Sequence, residues 1–264
     1  MSAGGLPAVA VRLARVADSL APGERPGMPP APAPLERTQG APWVWRSGQA
    51  LRSRVAADRL AEALVDDLDL ESARALPSGF VELMFSAAAV RRMVGALATS
   101  AGLPSVVDAP PPEPGRDVIR FEAARRAGSA PPLPAHVLAR RIVANPVVAV
   151  QLAHARAARW PDLAGHGLDP AAHSSGRLAA VLSTELLDAP RRLALHYSRP
   201  QEVTGALEGV AAAYLAWEAR PIGAATRPQA PGRELPSPAV VAAATRAVLE
   251  RGLALLGVHA PARM

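Results

Sequence analysis

Two proline-rich stretches set the first limits on how this chain of 264 residues folds. The first, APGERPGMPPAPAPLERTQGAP, runs from Ala21 to Pro42, and the second, PSVVDAPPPEPG, from Pro104 to Gly115. Proline has no amide hydrogen and a fixed φ, and it drives the residue before it out of the helical region. Such runs therefore read as loops or linkers. The chain is expected to divide into a small domain over residues 1–103, with 21–42 as an exposed loop, a linker over 104–115, and a larger domain over 116–264. Half of the residues are hydrophobic, enough for a substantial core in at least one of them.

In the small domain, Ala57, Leu60, Ala61, Leu64, Val65 and Leu68 recur at helical spacing, with Arg59, Glu62, Asp66 and Asp69 opposite. The adjacent Asp66 and Asp67 read as a solvated polar face. ALPSGFVELMF follows as a turn into a short strand, and Ser86 is placed to cap a helix carrying Val90, Met93, Val94 and Leu97 on one face. The larger domain reads as helical nearly throughout. Asn145-Pro146 and Ser237-Pro238 are cap and first-turn pairs, and Gly257 is a natural helix stop. Two further helices fall in LLDAPRRLALHY and EVTGALEGVAAAYLAWEA, the second with Tyr214 and Trp217. The expected class is mainly α: a small α+β N-terminal domain joined by a Pro-rich linker to an all-α helical bundle.

Charge is distributed unevenly. Residues 1–115 carry 11 Arg against 12 acids, and residues 116–264 carry 18 Arg against 11 acids, a surplus of seven. Lysine is absent, so every basic side chain is a planar fork suited to bidentate contact with phosphate. A basic half beside a neutral half points to a polyanionic partner. Cysteine is also absent, which excludes disulfides and thiolate metal sites. Neither a Gly-rich phosphate loop nor His-Glu-x-x-His occurs, and no metal or cofactor is expected. His173-Ser174-Ser175-Gly176 lacks the form of a nucleophile elbow and reads as loop. Arg12 and Arg15 interrupt the one apolar stretch near the N-terminus, and no run approaches the ~18 apolar residues of a membrane helix. A soluble cytoplasmic protein with no membrane partner is the expectation.

Two strings give a more specific reading. VVAAATRAVLERGLALLGVHAPARM resembles the C-terminal helix and tail of arginyl-tRNA synthetases, with their "GLxLLG" and closing "APERM". ANPVVAVQLAHARAARW is similar to that family's "NPVYYVQYAHAR" helix, with Asn145, Pro146, Val147, Val150, Gln151, Ala153, His154, Ala155 and Arg156 in place. A fainter likeness joins SGFVELMFS to the family's N-terminal "GPGFINFRLS". The resemblance implies a DALR-type anticodon-binding domain over about 116–264 and an N-terminal domain before it. In the family a large nucleotide-binding core with His-x-Gly-His stands between the two. Here only the dozen residues of the second Pro-rich stretch occupy that place, and one βαβ unit alone takes ~30. Leu163-Ala164-Gly165-His166 lacks the first His of that signature.

The resemblance thus implies a core-less paralogue of arginyl-tRNA synthetase. It would bind tRNA, an arginine tRNA first among candidates, and would not be an enzyme. The alternative is a protein-interaction or regulatory module whose partner is the full-length synthetase. The residues implied for tRNA binding are Asn145, Gln151, His154, Arg156, Arg159, Arg246, Arg251, Arg263 and Met264. Each also has a structural reading: His154 as a hydrogen-bonded bundle histidine, Asn145 and Gln151 as caps or cross-braces, and the arginines as solvated faces. Three departures stand out: Leu152 and Ala149 replace family aromatics, and Glu82 puts a carboxylate where the family has Asn. The aromatics would stack on bases, and the carboxylate would repel phosphate.

Overall fold

A computed structural model describes residues 6–21, 31–38, 41–101, 103–106, 110–160, 176–219 and 236–264; at Asp66 and Asp67 it describes the backbone alone. The reading of those two carboxylates therefore lies outside the described residues, as do the 173–175 loop and the 163–166 string. The chain forms two compact units, residues 1–93 and 94–264.

The first unit is α+β. Helix α1 spans Leu6–Leu20 and strand β1 Leu35–Arg37; β2 is Val44–Ser47, α2 is Gln49–Ser53 and α3 is Ala57–Asp67. Then come β3 (Leu70–Ala75), β4 (Val81–Phe85) and α4 (Ala87–Ala98), the last crossing the division between units. The four strands form one antiparallel sheet in the order β1-β2-β4-β3. Alternation sends Val81, Leu83 and Phe85 to the buried side, where Trp45 meets Phe85 edge to face at 5.3 Å. Leu60 and Leu64 of α3 are buried, as are Leu13 and Ala17 of α1. Ser86 Oγ accepts the Ala89 amide at 3.1 Å, the cap read from the sequence.

Two expectations for this unit are corrected. The stretch 21–42 is not loop throughout, because Leu35–Arg37 pairs with β2 as an edge strand. Prolines 32 and 34 precede it without interrupting any ladder, and Gln49 Oε1 accepts the buried Ala33 amide. Arg52 donates to the carbonyls of Ala31 and Pro32, so the end of the Pro-rich segment is tied to α2. Glu82 is also no free carboxylate. Register places Glu36 opposite Arg46, Arg46 opposite Glu82, and Glu82 opposite Arg74, a row of alternating charge across all four strands. Arg74 and Arg46 bond Glu82 at 2.7 and 3.2 Å. Desolvation works to raise its pKa, but the two arginines outweigh it and hold the carboxyl below its ordinary range.

The second unit contains α5 (Pro114–Arg126), α6 (Ala135–Leu138), α7 (Pro146–Ala158), α8 (Arg177–Leu193), α9 (Pro200–Glu218) and α10 (Pro238–Leu255). Pro114 and Gly115, read as linker, are the first residues of α5. Helix α9 is central and touches α5, α7, α8 and α10. Its buried face is about half the helix wide, from Thr204 and Ala211 through Val203, Leu207, Val210 and Tyr214 to Ala206 and Ala213, which is why its apolar pattern is broader than a narrow stripe. Trp217 stacks within 5.0 Å of Trp160 and 5.5 Å of Tyr214. A Cβ at Gly252 would overlap Leu207, so glycine is what lets α10 approach α9. The described residues are mainly α with one small sheet, as the sequence implied.

Candidate nucleic-acid interface

Helix α10 ends as its sequence requires. Gly257 takes φ +66°; its amide donates to Ala254 O and the Val258 amide to Leu253 O, both at 2.9 Å. These two bonds make the Schellman stop, and Val258 is buried beneath it. The chain then turns back as a strap along α5 and α7. Arg120 donates to Gly257 O at 2.6 Å, Gln151 Nε2 to His259 O at 2.9 Å, and His154 Nδ1 lies 2.8 Å from Pro261 O.

Between the strap, α5, α6 and the start of α7 lies a groove of about 690 Å³. One wall is apolar, formed by Ile119, Leu138, Val147 and Val148. Arg140 and Arg141 come from the turn after α6, and Arg263 and Met264 from the strap. Ile119 and Met264 are unusually open for apolar side chains, at 69% and 53%. Among the described residues Asp117 is the single acid of the lining, 2% exposed, and burial pushes its carboxyl up against opposing contributions from His259, Arg120 and Gln151.

The groove gathers four of the residues implied by sequence: Asn145, Gln151, Arg263 and Met264. Asn145 does stand at the N-cap position, but its side chain makes no cap bond. Its Nδ2 instead donates to the carbonyls of Leu138 and Arg140, bracing the turn that presents the arginine pair, while its Oδ1 is buried without a partner among the described residues. Ser237 makes no side-chain cap bond either. His154 lies behind the lining as a bundle histidine: it is buried, and desolvation lowers its pKa, which keeps it neutral. Arg156 is placed elsewhere, in a 2.8 Å ion pair with Glu218 of α9. Arg246 lies 3.8 Å from Glu250 on its own helix. Neither Arg159, at the end of α7, nor Arg251, on α10, is among the lining residues. Sequence reasoning missed Arg140, Arg141 and Asp117. The Arg-Arg doublet just ahead of the Asn145-Pro146 helix start was the signal for the first two.

The groove of the helical unit thus combines an apolar wall with three arginines, Arg140, Arg141 and Arg263. The sequence and structure relatives of the chain are arginyl-tRNA synthetases. Over 164 residues it is 33% identical to the arginine–tRNA ligase of Micrococcus luteus, matching 57% of this chain and 29% of that enzyme. Among solved structures, a Campylobacter jejuni chain described as an arginyl-tRNA synthetase matches 58% of this chain and 34% of its own, at 19% identity and a TM-score of 0.41. The Thermus thermophilus arginyl-tRNA synthetase matches 56% and 26%, at 26% identity and a TM-score of 0.39. The chain thus spans under a third of the ligase's length. No family model matches the chain. Among the described residues, no helix is long and apolar enough to cross a membrane, and no cluster of His, Asp or Glu is arranged to hold a metal ion.

Proposed function

We propose that the protein binds tRNA, an arginine tRNA first among candidates, through the groove of its helical domain, and does so without aminoacylating it. The observation that carries this reading is the groove itself, where Arg140, Arg141 and Arg263 share the lining with an apolar wall. The likeness to an arginine–tRNA ligase supports the choice of ligand. The binding residues of this reading are Asn145, Gln151, Arg140, Arg141, Arg263 and Met264, with His154 in support and Arg156, Arg159, Arg246 and Arg251 outside the groove. Residues 104–115 leave no room for a nucleotide-binding core between the two domain likenesses. On this reading the chain divides at the second Pro-rich stretch and works in the cytoplasm.

A second reading, a protein-interaction module acting on the full-length synthetase, is favoured by one observation. Among the described residues no Phe, Trp or Tyr lines the groove, and its one ring, that of His259, is tied through Nδ1 to Pro110 O, so no large aromatic face is provided for base stacking. Titration of the protein against total tRNA at two salt concentrations decides between them. Saturable binding that weakens with salt supports tRNA; no binding at low salt, with capture by purified arginyl-tRNA synthetase, supports the second reading. Arginine-dependent ATP–pyrophosphate exchange above a blank would overturn the absence of catalysis.

A further inference from the structure

The strap after α10 has no regular secondary structure, yet alternate residues are stitched down. Gly257 O takes Arg120, His259 O takes Gln151, and Pro261 O faces His154. The His259 amide donates to Asp117 Oδ1 at 3.3 Å, and the His259 ring Nδ1 lies 3.2 Å from Pro110 O. Both main-chain groups of His259 are therefore held, one by α5 and one by α7. Gln151, which holds the His259 carbonyl, also helps to hold down the pKa of Asp117, so α5, α7 and the strap meet around this carboxyl.

That group is out of place for a groove that receives phosphate. A carboxylate repels the ligand's charge, and burying it is unfavourable in itself. Sitting in the first turn of α5 gives it a helix-dipole role, but an exposed acid would serve that equally well. What requires a buried acceptor here is the His259 amide. We propose that Asp117 is the positioning residue of the groove: it fixes His259 and thereby holds the strap that carries Pro261, Arg263 and Met264 into the groove wall. The hold on the strap is a property of the fold; its effect on RNA rests on the tRNA-binding reading.

The test is amide hydrogen exchange on the full chain, with α10 amides at Leu249 and Leu253 as internal reference. Asp117→Ala is expected to speed exchange at His259 about tenfold, the loss of one hydrogen bond to a charged acceptor, with the α10 reference unchanged. Asp117→Asn keeps the shape and a carbonyl acceptor and should restore most of the protection. Gln151→Ala, which removes the other half of the clamp, should expose the same residues and covers the case in which Asp117→Ala fails to fold. In tRNA binding, Asp117→Ala and Arg263→Gln should lower the salt slope by the same amount, and the double variant no further. Unchanged His259 exchange in Asp117→Ala overturns the proposal. So does opening of His259 together with α10 in Asp117→Ala, Asp117→Asn and Gln151→Ala alike, which makes Asp117 an ordinary core residue. If the parent binds no tRNA, the functional reading fails while the exchange data still decide the role of Asp117.

Discussion

At the scale of single residues, the larger domain holds a carboxylate that works against its own fold. Among the described residues, one carboxyl oxygen of Glu208 on α9 is buried without a hydrogen bond. Desolvation raises its pKa, with the charge of Arg125 opposing and that of Glu122 reinforcing the rise. A carboxyl whose folded pKa lies above its unfolded value favours folding fully below the unfolded pKa, and that contribution is lost as pH rises through the folded one. At neutral pH the ionised group therefore costs stability. Glu208→Gln is expected to melt ~2 °C above the parent at pH 7 and level with it near pH 4, read by circular dichroism. Equal Tm values at both pH values would show that the carboxylate is adequately solvated. Arg156, one of the residues the resemblance implies for tRNA binding, forms an ion pair that ties α7 to α9.

At the scale of elements, what was legible depended on length and punctuation. Helices α7, α9 and α10 were readable because each is long, apolar on repeating positions and opened by proline at its start. The Gly257 stop was readable for the same kind of reason. Gly257→Ala puts a Cβ no closer than 3.7 Å to Arg120, an ordinary contact, so its cost is the left-handed backbone alone. A loss of ~1 kcal/mol, about 2–4 °C in Tm, is expected from thermal melts, and no loss would mean that the Schellman bonds are dispensable. Strands β1, β2 and β3 escaped because three to six residues give too little alternation to separate from loop, and pairing supplied by the sheet decides them. The site was legible in part. Gln151 and Val147 share the groove side of α7, whereas Arg156 lies five residues past Gln151, about 140° around the helix. Sequence spacing identified the helix but not which neighbour each face would meet. Asp117 gave no signal of its own, since its role depends on a strap more than a hundred residues away.

At the scale of the whole molecule, two compact units share one chain, and the basic surplus lies in the larger. A fragment of residues 104–264 is expected to show a helical circular dichroism spectrum and one cooperative melt, since α5 to α10 build a core around α9. An unfolded fragment would mean that this core needs residues before 104. The claim that joins fold to function is that this unit reads single-stranded RNA with arginines at the groove. The most direct measurement is the slope of log K against log salt for tRNA binding by the parent, by Arg140→Gln/Arg141→Gln/Arg263→Gln, and by Arg156→Gln. Each groove arginine that meets a phosphate should lower the slope by ~0.7, so the triple variant is expected to lose up to about 2, while Arg156→Gln lowers thermal stability and leaves the slope alone. A triple variant that binds tRNA with the parent's affinity and slope would contradict the groove as the RNA site.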